Sequence, residues 1–151
     1  MFQKIKCAFL LPIALLSAFA CTTNNSKNNA QTNDIVSVSY SYSVGRAGAE
    51  RITATSDSVI ATAVGGRFVD SPNVSRKINS DEWQKLTSSI NIKTLENTEN
   101  GASRARFDGP ETVFEIVTSE KEYRLVNVPE SEGATQLNHL KTILKQLVSE
   151  K

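Results

Sequence analysis

Histidine is nearly absent from this chain. His139 is the only one, which excludes any metal site built on two or more His ligands. Cysteine is almost as scarce: Cys7 and Cys21 are the only two, so nothing beyond residue 21 can form a disulfide. A structural zinc site would then rest mainly on carboxylates, which suit zinc poorly. No Gly-x-Ser-x-Gly elbow is present, and no Ser-x-x-Lys motif stands out from a Ser-rich background. The glycine clusters Gly45-Arg46-Ala47-Gly48 and Gly65-Gly66 are too short for a phosphate loop or a dinucleotide fingerprint. A formal net charge of +1 gives no electrostatic reason to expect nucleic acid, whose binding rests on clustered Lys and Arg. No metal and no cofactor is implied.

A hydrophobic run long enough to span a membrane is also missing. The uncharged stretch Cys7–Ala20 has 14 residues, against the roughly 20 that a bilayer-crossing helix needs. It follows Lys4 and Lys6 with no acid before it, which is the n-region and h-region order of an export signal. The stretch closes on Ser17-Ala18-Phe19-Ala20-Cys21. Ala18-Phe19-Ala20 suits an ordinary signal peptidase, and the same residues with Cys21 resemble the lipobox of bacterial lipoproteins, with Ala18 where Leu is usual and Phe19 where a smaller residue is usual. That resemblance implies cleavage after residue 20 and diacylglycerol on the Cys21 sulfur. It also implies a cell-envelope location with the membrane as the lipid's partner, and secretion if Cys21 is not lipidated. Thr22 in place of Asp is similar to the pattern that permits transport to the outer membrane, facing the periplasm. An unpaired exported thiol is otherwise a liability, and thioether attachment uses it.

Removing 20 of 151 residues leaves 131, and the loss of Lys4 and Lys6 leaves 15 basic against 16 acidic residues. From Thr22 to Asp34 the chain is rich in Asn, Thr, Ser and Gln and too polar to offset its ordering entropy. Residues 21–34 therefore read as lipidated Cys and linker, reaching on the order of 20 Å. Residues 35–151 read as one domain, a normal size for a single core.

Within it, Val36, Val38, Tyr40, Tyr42 and Val44 alternate with Ser37, Ser39, Ser41 and Ser43, the period of a strand with one buried face. Residues 51–55 and 59–64 complete a meander, and Arg67-Phe68-Val69 suggests a further short strand. Asn79 as N-cap with Glu82 at N3 predicts a helix carrying Trp83, Leu86 and Ile90 on its core face, with Ile78 and Trp83 as a staple. Ile92 and Leu95 are expected to tuck under the domain. Residues 96–101 read as an exposed loop and 103–107 as a short edge strand. Residues 112–118 and 122–128 read as a hairpin, and the Leu stripe at 137, 140, 144 and 147 as a closing amphipathic helix. The predicted fold is α+β: a largely antiparallel sheet of five to seven strands with two helices. At fold level this layout resembles small envelope lipoproteins of Gram-negative bacteria, inhibitor-like ones included.

Chemistry is thin in this domain. His139 sits at helical spacing among polar neighbours and reads as a surface residue. Asp108 and Glu111 flank a turn, where they suit calcium or a catalytic pair, although Asp108 more commonly bonds its own turn. No catalytic residue is assigned. Arg46, Arg67, Arg104 and Arg106 fall near strand ends and loops, where they would converge on an anionic partner. The serine face of residues 37–43 is a second docking candidate, for a protein or a glycan. The expected function is a non-enzymatic, lipid-anchored binding or accessory module with an envelope protein or glycan as partner. The alternative is a periplasmic hydrolase inhibitor or small hydrolase, for which loop 96–103 should project into a partner's cleft.

Overall fold

A computed structural model describes residues 35–71 and 73–149, and within them one α+β domain. Residues 1–34, with Cys21 and the proposed signal and linker, lie outside the described residues. Six strands form one antiparallel sheet: β1 (Ile35–Val44), β2 (Ala49–Thr55), β3 (Ser58–Val64), β4 (Val74–Lys77), β5 (Pro110–Thr118) and β6 (Glu122–Val126). Their order across the sheet is β4-β3-β2-β1-β5-β6, so the first strand in sequence lies in the interior of the sheet. Three helices accompany the sheet: α1 (Ser80–Ser88), the five-residue α2 (Ile92–Glu96) and the 18-residue α3 (Glu132–Ser149).

The β1 alternation does what its period requires. Val38 pairs across to Ala54 and Ile116, and Tyr40 to Ile52 and Phe114, and all six side chains are buried. Leu86 of α1, Ile92 and Leu95 of α2, and Leu140 and Leu144 of α3 belong to the same core, so the helices all cover that face. One register irregularity corrects the reading of the first two residues. A bulge between Ile35 and Ser37 turns Ile35 into the core and leaves Val36 53% exposed.

The helix at Asn79 starts as predicted. The Asn79 side chain accepts from the Glu82 N–H and the Glu82 carboxylate accepts from the Asn79 N–H, so two orphan donors are satisfied reciprocally. Arg76 adds to it: its guanidinium pairs with Glu82 at 2.8 Å and donates to the Leu147 carbonyl at 2.7 Å, tying β4, α1 and α3 together. The Arg76 hydrogen bond is the first cause that holds the Glu82 carboxyl below its ordinary value.

Three local expectations fail. Residues 66–68 form a 3₁₀ turn, not a strand, and the fourth strand is Val74–Lys77 instead. Residues 105–107 are likewise a 3₁₀ turn, not an edge strand. The loop after α2 does not project: Gly101 N–H donates to the Val126 carbonyl, and the Asn100 side chain accepts from the Val126 N–H and donates to the Arg124 carbonyl. The outer edge of β6 is thereby capped by the chain itself, which removes a row of unpaired groups from the surface. Among the described residues no helix is long and apolar enough to cross a membrane.

Candidate functional site

The sheet's outer face carries no helix. On it, Ser39 is buried and shares a 2.9 Å hydrogen bond with Thr53, while Arg51 reaches Glu115 at 2.6 Å and Arg124 reaches the same carboxylate at 3.4 Å. The polar groups at its centre are thus engaged with one another. Of the serine row predicted as a docking surface, Ser39 is engaged in this way.

The other face is more open chemically at one end. There the C-terminal half of β1 passes beneath α3, and a recess of about 410 Å³ opens between them. Tyr40 and Tyr42 come from β1, Glu50 from β2, Arg67 and Phe68 from the turn after β3, and Lys141 and Lys145 from successive turns of α3. The strand period places both tyrosines on the helix side, and the i, i+4 spacing places both lysines on one flank of α3. Both ammonium groups lie 5.6 Å from the centroid of the Tyr40 ring, within cation–π range. Tyr42 meets Phe68 edge-on, with ring centroids 6.1 Å apart. Three cations, Arg67, Lys141 and Lys145, therefore face a single carboxylate, Glu50.

That carboxylate is already shared. Glu50 Oε1 accepts from Lys145 Nζ at 3.1 Å and from the Tyr40 hydroxyl at 3.3 Å. Among the described residues, neither Lys141 nor Arg67 has a carboxylate partner. The recess keeps two positive charges available for an anion.

Burial first, then the Glu50 charge and the hydrogen bond to it, push the Tyr40 hydroxyl well above its ordinary value. Because the folded-state value is the higher one, the stability that neutral Tyr40 contributes is present below about pH 10 and is lost as pH rises through the folded value. Tyrosinate absorbance during an alkaline titration should show a delayed component that Tyr40→Phe removes. The variant should also unfold less readily than the wild type above about pH 10, relative to their difference at neutral pH. A Tyr40→Phe titration that loses its absorbance from the ordinary tyrosine range and keeps the delayed component unchanged would refute this.

Of the four arginines singled out from the sequence, two line recesses at this end of the sheet. Arg67 lines the recess, and Arg104 lines an adjoining one of about 320 Å³ that shares Lys141 and Thr112 with it. Arg104 is brought there by a turn fastened to β5: the Ser103 hydroxyl and the Arg104 N–H both donate to Glu111. The Ser103 bond is the leading cause that lowers the Glu111 carboxyl below its ordinary value. Arg46, in the β1–β2 turn, is almost fully exposed and lies 3.8 Å from Asp108. Arg106 belongs to the 105–107 turn. His139 is exposed on α3, and Asp108 is exposed with its backbone in the left-handed region. Among the described residues, no three His, Cys, Asp or Glu side chains converge as a metal site.

Lys141 and Lys145 lie beside the Leu stripe of α3, where helical spacing alone marks them as polar-side residues. Their spacing was visible, but what they face depends on how α3 lies across β1 and β2. Against known proteins, the chain matches no family model and no curated sequence.

Proposed function

We propose that this protein is a lipid-anchored lipoprotein of the cell envelope that acts as a non-enzymatic binding module, and that its ligand contact is the cationic recess between β1 and α3. The observation that carries the binding role is the convergence of Arg67 and Lys141, both without a carboxylate partner among the described residues, on the rings of Tyr40 and Tyr42. Charge-assisted hydrogen bonds from such groups are about twice as strong as neutral ones, and a partly desolvated recess strengthens them further. The anchoring role rests on the lipobox-like Ala18-Phe19-Ala20-Cys21 and the polar stretch after it. The membrane is then the partner of the Cys21 lipid, and an anionic envelope protein or glycan is the partner of the recess.

Crosslinking in intact membranes tests both halves together. Wild type should incorporate a palmitate analogue and capture a partner. Cys21→Ala should lose the label, and Arg67→Glu with Lys141→Glu should keep the label and lose the partner. Equal labelling of wild type and Cys21→Ala would remove the anchor. Undiminished capture by the doubly charge-reversed chain would remove the recess.

A further inference from the structure

The recess is the middle of something longer. On one side it shares Lys141 and Thr112 with the pocket that Arg104 lines. On the other it shares Glu50, Ser71 and Lys145 with a pocket of about 310 Å³ whose apolar wall is made by Ile52, Ala61 and Val148. The helix residues along these three pockets, Ala134, Asn138, Lys141, Lys145 and Val148, recur at three- and four-residue steps and so form one flank of α3. The trough therefore follows α3 from residue 134 to residue 149, about 22 Å at 1.5 Å per residue. At about 3.3 Å per residue this is the length of an extended peptide of about six to seven residues.

Resting on the reading of the recess as an anion site, we infer that the trough binds an extended acidic peptide segment of a partner protein, with carboxylates over Arg104, Lys141 and Arg67 and one aliphatic side chain in the Ile52–Ala61–Val148 pocket. Charge sets the register. Arg104, Lys141 and Arg67 occupy the first two pockets, whereas in the third Glu50 and Asp70 offset Arg51 and Lys145 beside the apolar wall, so acidic residues suit one end and an uncharged side chain the other. A repeating anionic glycan would supply the charges but no branched aliphatic group for the third pocket. The choice of a peptide rests on that apolar end.

The test uses the purified full chain and a fluorescein-labelled hexapeptide of four aspartates, a glycine and a terminal leucine, followed by anisotropy. Saturable binding is expected. Lys141→Glu should weaken it at least about tenfold, the scale of a lost charge-assisted bond. Lys85→Glu, an equal charge change on the exposed side of α1, should leave it within about twofold. Replacing the peptide's leucine by serine should weaken binding about tenfold through the lost apolar burial. Equal binding of the leucine and serine peptides, or displacement of the probe by hexagalacturonate at lower concentration than by unlabelled peptide, overturns the peptide assignment and leaves the anion site standing. Equal weakening by Lys141→Glu and Lys85→Glu, or no binding of either polyanion, overturns the anion site itself. Arg67→Glu, in a turn outside α3, repeats the comparison if Lys141→Glu does not fold.

Discussion

Gly48→Ala is expected to destabilise the domain by roughly 2–6 kcal/mol, from about 1–3 for a disfavoured backbone and about 1–3 for overpacking. Gly48 sits at φ +128°, a region that residues with a Cβ rarely enter. A Cβ there would also meet the Val64 carbonyl oxygen, which is backbone and cannot swing aside, and the Phe68 ring at 3.0 Å. Gly65, at φ +89°, lies against the Gly48 Cα from the other side, so two glycine backbones touch where the β1–β2 turn passes the end of β3. The consequence reaches the recess, because the displaced Phe68 is the ring that packs on Tyr42. Urea unfolding should show a lowered midpoint at unchanged slope, while Gly66→Ala, where a Cβ meets nothing within 4 Å, should stay within about 0.5 kcal/mol of wild type. Equal midpoints for the two variants would show that the contact between the glycines is not needed.

A loss of similar size is expected for Leu144→Ala. Leu144 is completely buried in the core between α3 and the sheet, and truncating such a side chain removes its transfer energy and leaves a cavity, together about 2–5 kcal/mol. Against a total stability of about 5–15 kcal/mol for a domain of this kind, the variant should be poorly folded well below the melting temperature of the wild type. Val64→Ala, at a position 65% exposed, should change stability by no more than about 0.5 kcal/mol. A Leu144→Ala midpoint matching that of Val64→Ala would mean that α3 does not close the core.

What could be read from the residues was whatever is encoded locally. The start of α1 needs only Asn79, Glu82 and the backbone between them, and it was legible to the residue. The alternation of β1 needs only a buried face, and the β5–β6 hairpin only two β-prone runs around a turn. β4 was not legible because Val74–Lys77 is short and half charged, and it becomes a strand by pairing with β3 and by the contacts of Arg76 to α1 and α3. The bulge that exchanges Ile35 and Val36 arises from pairing with β5, more than 70 positions away. The recess was hidden for the same reason. Lys145 and Glu50 meet across 95 positions, and no local pattern brings a helix lysine to a carboxylate on β2. The arginines were visible as a type, yet only the turns after β3 and before β5 decide that Arg67 and Arg104 line neighbouring recesses while Arg46, in the β1–β2 turn beside Asp108, lines neither.

The interior position of β1 has a mechanical meaning. The chain enters the sheet at Ile35, and the recess begins at Tyr40 and Tyr42, roughly 20 Å further along the same strand. A load carried between residue 35 and a ligand in the recess runs parallel to β1. Its hydrogen bonds to β2 on one side and β5 on the other stand perpendicular to that pull. They must therefore give way together in shear and cannot peel one at a time, so a pull between the chain's point of entry and the proposed binding site is borne by the domain's most extensively paired strand.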